Sequence, residues 1–410
     1  MPALTATRPA APFEDSKVRV AAAVEAARGE IVDLSHRIHA DPEPAFEETH
    51  AAAWVAEVLE RHGFTVEHPA GSLATAVRAT LRGRAGDGPR IGILAEYDAL
   101  PGLGHGCGHN TMAASGVGAA IALAALADEL PGEIVFLGTP AEERGSGKQI
   151  MIDDGLFEGL DAALLYHPCD RNHVESHPLA SEDVDVVYTG LQSHASSDPW
   201  RGKNALDALI LLFTSVGLWR QQLHPTARVH GIIREGGTAA NIIPDRTSAW
   251  FMIRSAQESE YAAMRDRFRQ MCEAAALATD TTVEVTFSGG ARTMRNNGVL
   301  AERFRANMAA YGIDDQGDDA NAGSTDMANV SWVVPTIHPD LAIAPEGTPG
   351  HSVLFRDAAA TPRADEVTLL AATLIAQTAV ELFKDPALVA AAWEEFRAMP
   401  SGSPLAAFDA

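Results

Sequence analysis

Between Arg90 and Tyr166 the chain alternates strand and helix patterns, and this run constrains the fold more than any other feature. An apolar, β-type run over Arg90–Glu96 leads through a glycine-rich loop to a helical stretch, Thr111–Ala127. A strand follows at Glu133–Gly138, a short helix near Lys148–Asp153 and a strand at Asp161–Tyr166. Such alternation predicts an α/β fold, a mostly parallel sheet covered by helices. Ahead of it the pattern predicts helices over Val18–His39 and Glu48–His62, the second closed by Gly63, and a strand at Ala74–Leu81.

The texture then changes. Strands at Asp183–Thr189, Ala227–Arg234, Arg246–Arg254 and Thr281–Ser288 interleave with helices at Asn204–Gln222 and Glu258–Ala278. Four strands and two helices in so short a span predict a compact α+β (ferredoxin-like) module inserted into the first domain. The expected organisation is a disordered tail over 1–15, a parent domain over 16–182 and 293–410, and an inserted domain over 183–292.

Charge narrows the partners. The 410 residues carry 31 Lys+Arg against 55 Asp+Glu, a formal charge of −24. A surface so acidic repels phosphate, which argues against nucleic acid and anionic membranes as partners. Apolar stretches such as Ala119–Ala127 are far shorter than a membrane span. Cys107, Cys169 and Cys272 make no disulfide framework, and the Ala/Pro/Thr-rich start lacks the apolar core of a secretory leader. A reduced, cytoplasmic chain is the expectation.

In open parallel sheets ligands bind outside the carboxyl ends of the strands. Here the first strand runs into Tyr97-Asp98 and the loop Gly104-His105-Gly106-Cys107-Gly108-His109. The next runs into Pro140-Ala141-Glu142-Glu143, and the third into His167. A later glycine-rich loop carries His351. Singly, each is weak, because a lone histidine is usually structural and a free cysteine usually a small buried hydrophobe. Together, Cys107, His109, Glu143, His167 and His351 offer thiolate, imidazole and carboxylate at one sheet edge, a donor set suited to zinc and open to manganese or cobalt. Five donors exceed one tetrahedral shell, so two divalent ions are expected. Glu142, beside a ligand but not needed as one, could then serve as general base and acid.

Rival motifs fail. Gly102-x-Gly104 does not extend into a dinucleotide fingerprint, Gly147-Lys148 lacks the earlier glycine of a Walker loop, and no Gly-x-Ser-x-Gly elbow is present.

These residues carry a resemblance. Leu34 to Pro44, Glu96-Tyr97-Asp98-Ala99-Leu100-Pro101, Cys107-Gly108-His109 and Pro140-Ala141-Glu142-Glu143 resemble motifs of the peptidase family M20 metallohydrolases. So do Gly190 to Ala195, Gly236 to Asp245 and Gly350-His351. The resemblance implies that the parent domain is catalytic and that the inserted one is a lid or dimerisation domain. It implies that the five donors are the ligands of the family's cysteine-using branch, that Glu142 is the catalytic acid/base and that Asp98 is an acid supporting the metals. His194 matches a histidine that reaches the active site, in some relatives from the neighbouring subunit. Asn241 and Arg254 are the candidates for gripping a substrate carboxylate. Gly104-His105-Gly106 and Gly323-Ser324-Thr325-Asp326-Met327 depart from the plant-hormone-conjugate enzymes. They resemble the branch of p-aminobenzoyl-glutamate hydrolase and the β-alanyl-lysine-type dipeptidase.

The implied activity is metal-dependent hydrolysis of an amide bond in a small dipeptide, N-acyl amino acid or aryl-amidated amino acid, by a homo-oligomer assembled through the lid. The alternatives are a broad amidase or deacetylase on aryl amides, and a catalytically silent binding subunit.

Overall fold

The structure is a computed structural model describing residues 13–317 and 323–399. Among the described residues, chain contacts divide it into two compact units, one of 13–176, 296–317 and 330–399, the other of 177–295 and 323–329.

The first unit opens with α1 (Glu14–Ala26), α2 (Arg28–Ala40) and α3 (Thr49–Arg61). The single helix expected over Val18–His39 is two, because Ala27 leaves helical geometry at φ −92°, ψ 2°. Most of the expected tail lies outside the described residues, but Glu14 and Asp15 belong to α1. Strands β1 (Thr65–Glu67), β2 (Val77–Arg82) and β3 (Arg90–Glu96) precede α4 (His109–Ala124), then β4 (Glu133–Thr139), α5 (Gly147–Asp153), β5 (Ala162–Leu164) and β6 (His167–Cys169).

The second unit supplies β7 (Ala180–Thr189), β8 (Ser193–His194), α6 (Ala205–Trp219), β9 (Arg228–Glu235), β10 (Ile242–Ile243), β11 (Arg246–Ser255), α7 (Glu258–Thr279) and β12 (Thr282–Ala291). The chain then returns through α8 (Gly298–Ala310), α9 (Met327–Val330), β13 (Thr336–Ile337), β14 (Asp340–Ala342), α10 (Val353–Ala358), α11 (Pro362–Lys384) and α12 (Pro386–Ala398).

In the first unit the main sheet runs β1-β2-β4-β3-β5-β13. β4, β3, β5 and β13 are parallel, and the β1–β2 edge is antiparallel. β3 and β4 are buried along nearly their whole length, as strands covered on both faces must be. α4 is buried on every side from His109 to Leu123, and its small residues let it pack against α11 and α2. α11 is apolar and long enough to cross a membrane, but 89% of its apolar window is buried inside the protein. The strand read as Asp161–Tyr166 stops at Leu164. His167 opens β6, which pairs in parallel with β14 instead.

In the second unit the sheet order is β12-β7-β11-β9, all antiparallel. With α6 after β7 and α7 after β11 this is the ferredoxin-like βαββαβ arrangement. Val184, Val186 and Tyr188 alternate inward from β7 onto Leu209 and Leu212 of α6 and Phe268 and Cys272 of α7. The unit runs His177–Arg295, wider than 183–292, and β7 already begins at Ala180. Residues near Asn329 go with it. Asn329 Oδ1 accepts from Arg292 N (2.7 Å), and its Nδ2 donates to the Gly290 carbonyl (2.9 Å).

Candidate metal centre

The site is built from what β3, β4 and β5 run into. β3 ends at Glu96, which is wholly buried, and Tyr97 behind it donates its hydroxyl to the Thr75 carbonyl. Asp98 follows. The loop then turns through Gly102, Gly104 and Gly108, all at positive φ, and delivers Cys107 just ahead of α4 and His109 as its first residue. β4 ends at Thr139, and Ala141 at φ +60° turns the chain so that Glu142 and Glu143 follow one another out of the sheet. His351, also left-handed, donates its backbone N–H to the Gly106 carbonyl (3.0 Å), which ties the late loop to the cysteine loop.

The side chains converge. Cys107 Sγ lies 3.5 Å from His167 Nε2, and His351 Nε2 lies 3.4 Å from Glu143 Oε1. Donor atoms of Cys107, His109 and His167 fall within 4.8 Å of one another, as do those of Cys107, Glu143 and His351. All five predicted donors therefore gather around the shared thiol. A third group, Glu96, His109 and Glu142, meets the same limit and shares His109 with the first.

Hydrogen bonding fixes which nitrogen His109 offers. Its Nδ1 faces the Asp98 carbonyl oxygen at 2.9 Å and Asp98 Oδ1 at 3.0 Å. A carbonyl only accepts, so Nδ1 carries a proton and Nε2 is the nitrogen left facing the site. Asp98 Oδ2 also accepts from the Glu143 N–H (2.9 Å), so one carboxylate aligns two of the donors.

Electrostatics favour a cation. Burial, with Glu143 beside it, pushes the Cys107 thiol well above its ordinary range. Burial likewise raises Glu143 and lowers His167 to about 4. His109 is held well above the usual imidazole range, because Cys107 and Asp98 outweigh its burial. A divalent cation would take the place of the protons on Cys107, Glu143 and His109 Nε2, while His167 already offers a neutral ring. The buried His109 Nε2 and Glu143 Oε1 have no hydrogen-bond partner among the described residues. Orphaned donors of the right chemistry, clustered at ligand spacing, fit such an ion.

Three further site residues carry no mark in the sequence patterns. Lys148, wholly buried on α5, lies 2.6 Å from Glu96 Oε1, while Glu96 Oε2 lies 3.3 Å from His109 Nε2. His338, just past β13, sets its ring edge-on to His167 with centroids 5.4 Å apart. Glu96 is the last residue of β3, so the rule that ligands bind at strand ends covers it together with Tyr97-Asp98. A lysine made tolerable by a buried partner leaves no local pattern.

The remaining predicted residues lie in the second unit. His194 is exposed, and its Nδ1 accepts from the N–H groups of Ser196 and Ser197, both at 3.2 Å, so Nε2 bears the proton and faces outward. β8 pairs with β10, setting His194 opposite Ile242, and the Asn241 carbonyl accepts from Ala195 N (3.0 Å). His194 and Asn241 are thus neighbours. Arg254 is not with them. It stands eight residues along β11 from Arg246, roughly 25 Å of strand, opposite Ser181, with its guanidinium lowered by burial.

The chain is 37% identical to the Xaa-Arg dipeptidase of Mus musculus, over 97% of this chain and 95% of that protein. It is 30% identical to a p-aminobenzoyl-glutamate hydrolase chain of Escherichia coli, over 93% of this chain and 95% of that one. A dinuclear metal-binding peptidase of Bacillus subtilis shares the fold, with a TM-score of 0.67 at 22% identity over 88% of this chain and 99% of that chain. The model of peptidase family M20/M25/M40 matches residues 92–353, from β3 with its Glu96-Tyr97-Asp98 exit to the His351 loop. With that match spanning most of the chain, and relatives of this identity spanning nearly all of it, the protein belongs to peptidase family M20/M25/M40.

Proposed function

We propose that this chain hydrolyses the amide bond of a small dipeptide, N-acyl amino acid or aryl-amidated amino acid bearing a free carboxylate. The observation that carries the reading is the gathering of Cys107, His109, Glu143, His167 and His351 around one point with Glu142 next in sequence to a donor. Relatives named as a dipeptidase, an aminobenzoyl-glutamate hydrolase and an N-acetylcysteine deacetylase support it.

Cys107, His109 and His167 would hold one divalent ion, and Cys107, Glu143 and His351 a second, with zinc or manganese as the candidates. Bound there, the ions would supply Lewis acidity at the scissile carbonyl and a water of lowered pKa. The rest falls to the chain. Glu142 takes the proton from the attacking water and hands it to the departing amine nitrogen. Asp98 keeps His109 in its Nδ1–H tautomer. His194, proton on Nε2, donates to the developing oxyanion, and Asn241 binds beside it.

His194 and Asn241 stand at one end of β11 and Arg254 at the other, so a single module would not bring all three onto one small substrate. Two copies would. The exposed apolar residues on α6 (Ile210, Leu211, Leu218) and on the edge strand β9 (Ile232, Ile233) support assembly through this module. The three free cysteines support the reduced, cytoplasmic setting.

The test is amine release from matched pairs, each a carboxylate and its carboxamide. The panel covers dipeptides ending in arginine or lysine, aminobenzoyl-glutamate and N-acyl amino acids. The carboxylate is expected to be preferred at least tenfold in kcat/KM. Equal turnover of both members would favour a broad amidase.

A further inference from the structure

We infer that Glu48 is a positioning residue that sets the direction of Glu142 and Glu143. The inference rests on the proposed roles of that pair in proton transfer and metal binding. Glu48 stands immediately before α3, wholly buried, yet its side chain makes no cap bond to the helix. Glu43 does that work, accepting from the backbone N–H groups of His50 and Ala51. Both oxygens of Glu48 are committed elsewhere. Oε1 accepts from the Ala141 N–H and Oε2 from the Thr75 hydroxyl, each at 2.8 Å.

Ala141 is the point where direction is decided. It holds φ +60°, a left-handed conformation that an alanine does not adopt without support. Glu142 and Glu143 leave the sheet from there, one assigned to proton transfer and the other to an ion. Relaxing Ala141 to ordinary φ would swing both. The far side of the turn is fixed independently. Gly147 N–H donates to the Ala141 carbonyl (3.2 Å), and Gly147 lies so close to the Pro140 carbonyl that a Cβ would stand 1.9 Å from its oxygen. Glu48 supplies the near side.

The same short segment reaches the metal-supporting loop. The Glu43 carbonyl accepts from Ala99 N–H (2.8 Å), next to Asp98, and a Cβ on Gly145 would meet the Phe46 ring at 2.5 Å. Residues Glu43–Glu48 thus strap the Asp98 loop to the Glu142–Glu143 turn. A buried carboxylate that gives nothing to its own helix, and bonds instead to the strained residue before the acid/base, has a task in the site.

The experiment compares Glu48→Ala, Glu48→Gln and Thr75→Val for kcat, KM, thermal midpoint and retention of zinc against a chelator. Glu48→Ala is expected to lower kcat and zinc retention by roughly 10–100-fold, the range for residues that orient ligands, with KM within threefold. Glu48→Gln keeps an oxygen for the Ala141 N–H and should restore most of both. Thr75→Val loses the other hydrogen bond, so at a comparable loss of midpoint its kcat should fall much less.

Should Glu48→Ala not fold, Glu48→Met/Thr75→Val replaces the pair by apolar groups of similar size, a change the core tolerates better, and should show the same low kcat and zinc retention. Wild-type kcat and retention in a folded variant lacking the Ala141 bond would overturn the inference. A wild type that holds zinc but turns over nothing would sink the functional reading alone, because the zinc comparison still decides the role of Glu48.

Discussion

Asp98 holds His109 twice through one nitrogen. Nδ1 lies 2.9 Å from the backbone carbonyl of Asp98 and 3.0 Å from its Oδ1, while Oδ2 of the same carboxylate takes the Glu143 N–H at 2.9 Å. Two donors to the proposed ions, from loops 34 residues apart in sequence, are thus referred to a single side chain. Asp98→Ala should leave the carbonyl contact and lose the other two. The expected result is a 10–100-fold loss of metal affinity, read by competition with a chelating dye, with a smaller loss in Asp98→Asn.

Glu142 is a catalytic group only if its loss spares the metal. Glu142→Gln should lower kcat by about 10²–10⁴ while metal content and thermal midpoint stay at wild-type values. Atomic emission and a thermal melt on the same preparation check this. Loss of an ion instead would reassign Glu142 as a ligand.

Gly108 separates Cys107 from His109 at φ +79°, and a Cβ there would stand 2.8 Å from Pro168 Cγ, next to His167. Gly108→Ala therefore strains the backbone and pushes on a third donor at once. A stability loss of at least about 1–2 kcal/mol is expected from the left-handed backbone alone, by denaturant unfolding of the metal-free protein, with weaker metal binding besides.

His338 is buried, and burial, with His167 next in effect, holds it to about 3. The unfolded chain takes up a proton near the ordinary value of about 6.5, the folded chain only near 3. This histidine therefore contributes stability above pH 6.5 that is lost as pH falls toward 3. Between pH 7 and 5 the wild type should lose up to about 2 kcal/mol more than His338→Gln, in melts run across that range. Parallel pH profiles for the two proteins would contradict the assignment.

Much of this was legible in the chain because its chemistry sits at strand ends. The bounds of β3 match the expected Arg90–Glu96, and β4 runs one residue beyond Gly138. The glycine loop, the Glu142–Glu143 turn and His167 follow from where those strands stop. The break at Ala27 was not legible, since the apolar pattern continues across it and only the local geometry departs. β13 is two residues long, too short for a pattern, so nothing in the sequence marks His338 at its end. Glu48, Lys148 and Glu96 were hidden for a different reason. A buried charge is defined by its partner, and Ala141 for Glu48, or Glu96 for Lys148, is distant in sequence.

In the proposed mechanism, amide hydrolysis depends on metal held by the Cys107 cluster, with Glu142 moving the proton. The most direct measurement strips the protein of metal, reloads it stepwise with zinc or manganese, and follows amine release beside Glu142→Ala. The expected result is silence when stripped, recovery complete at two ions per chain, and a variant that binds both ions yet releases no amine. Turnover by fully stripped protein, or full activity in Glu142→Ala, would contradict it.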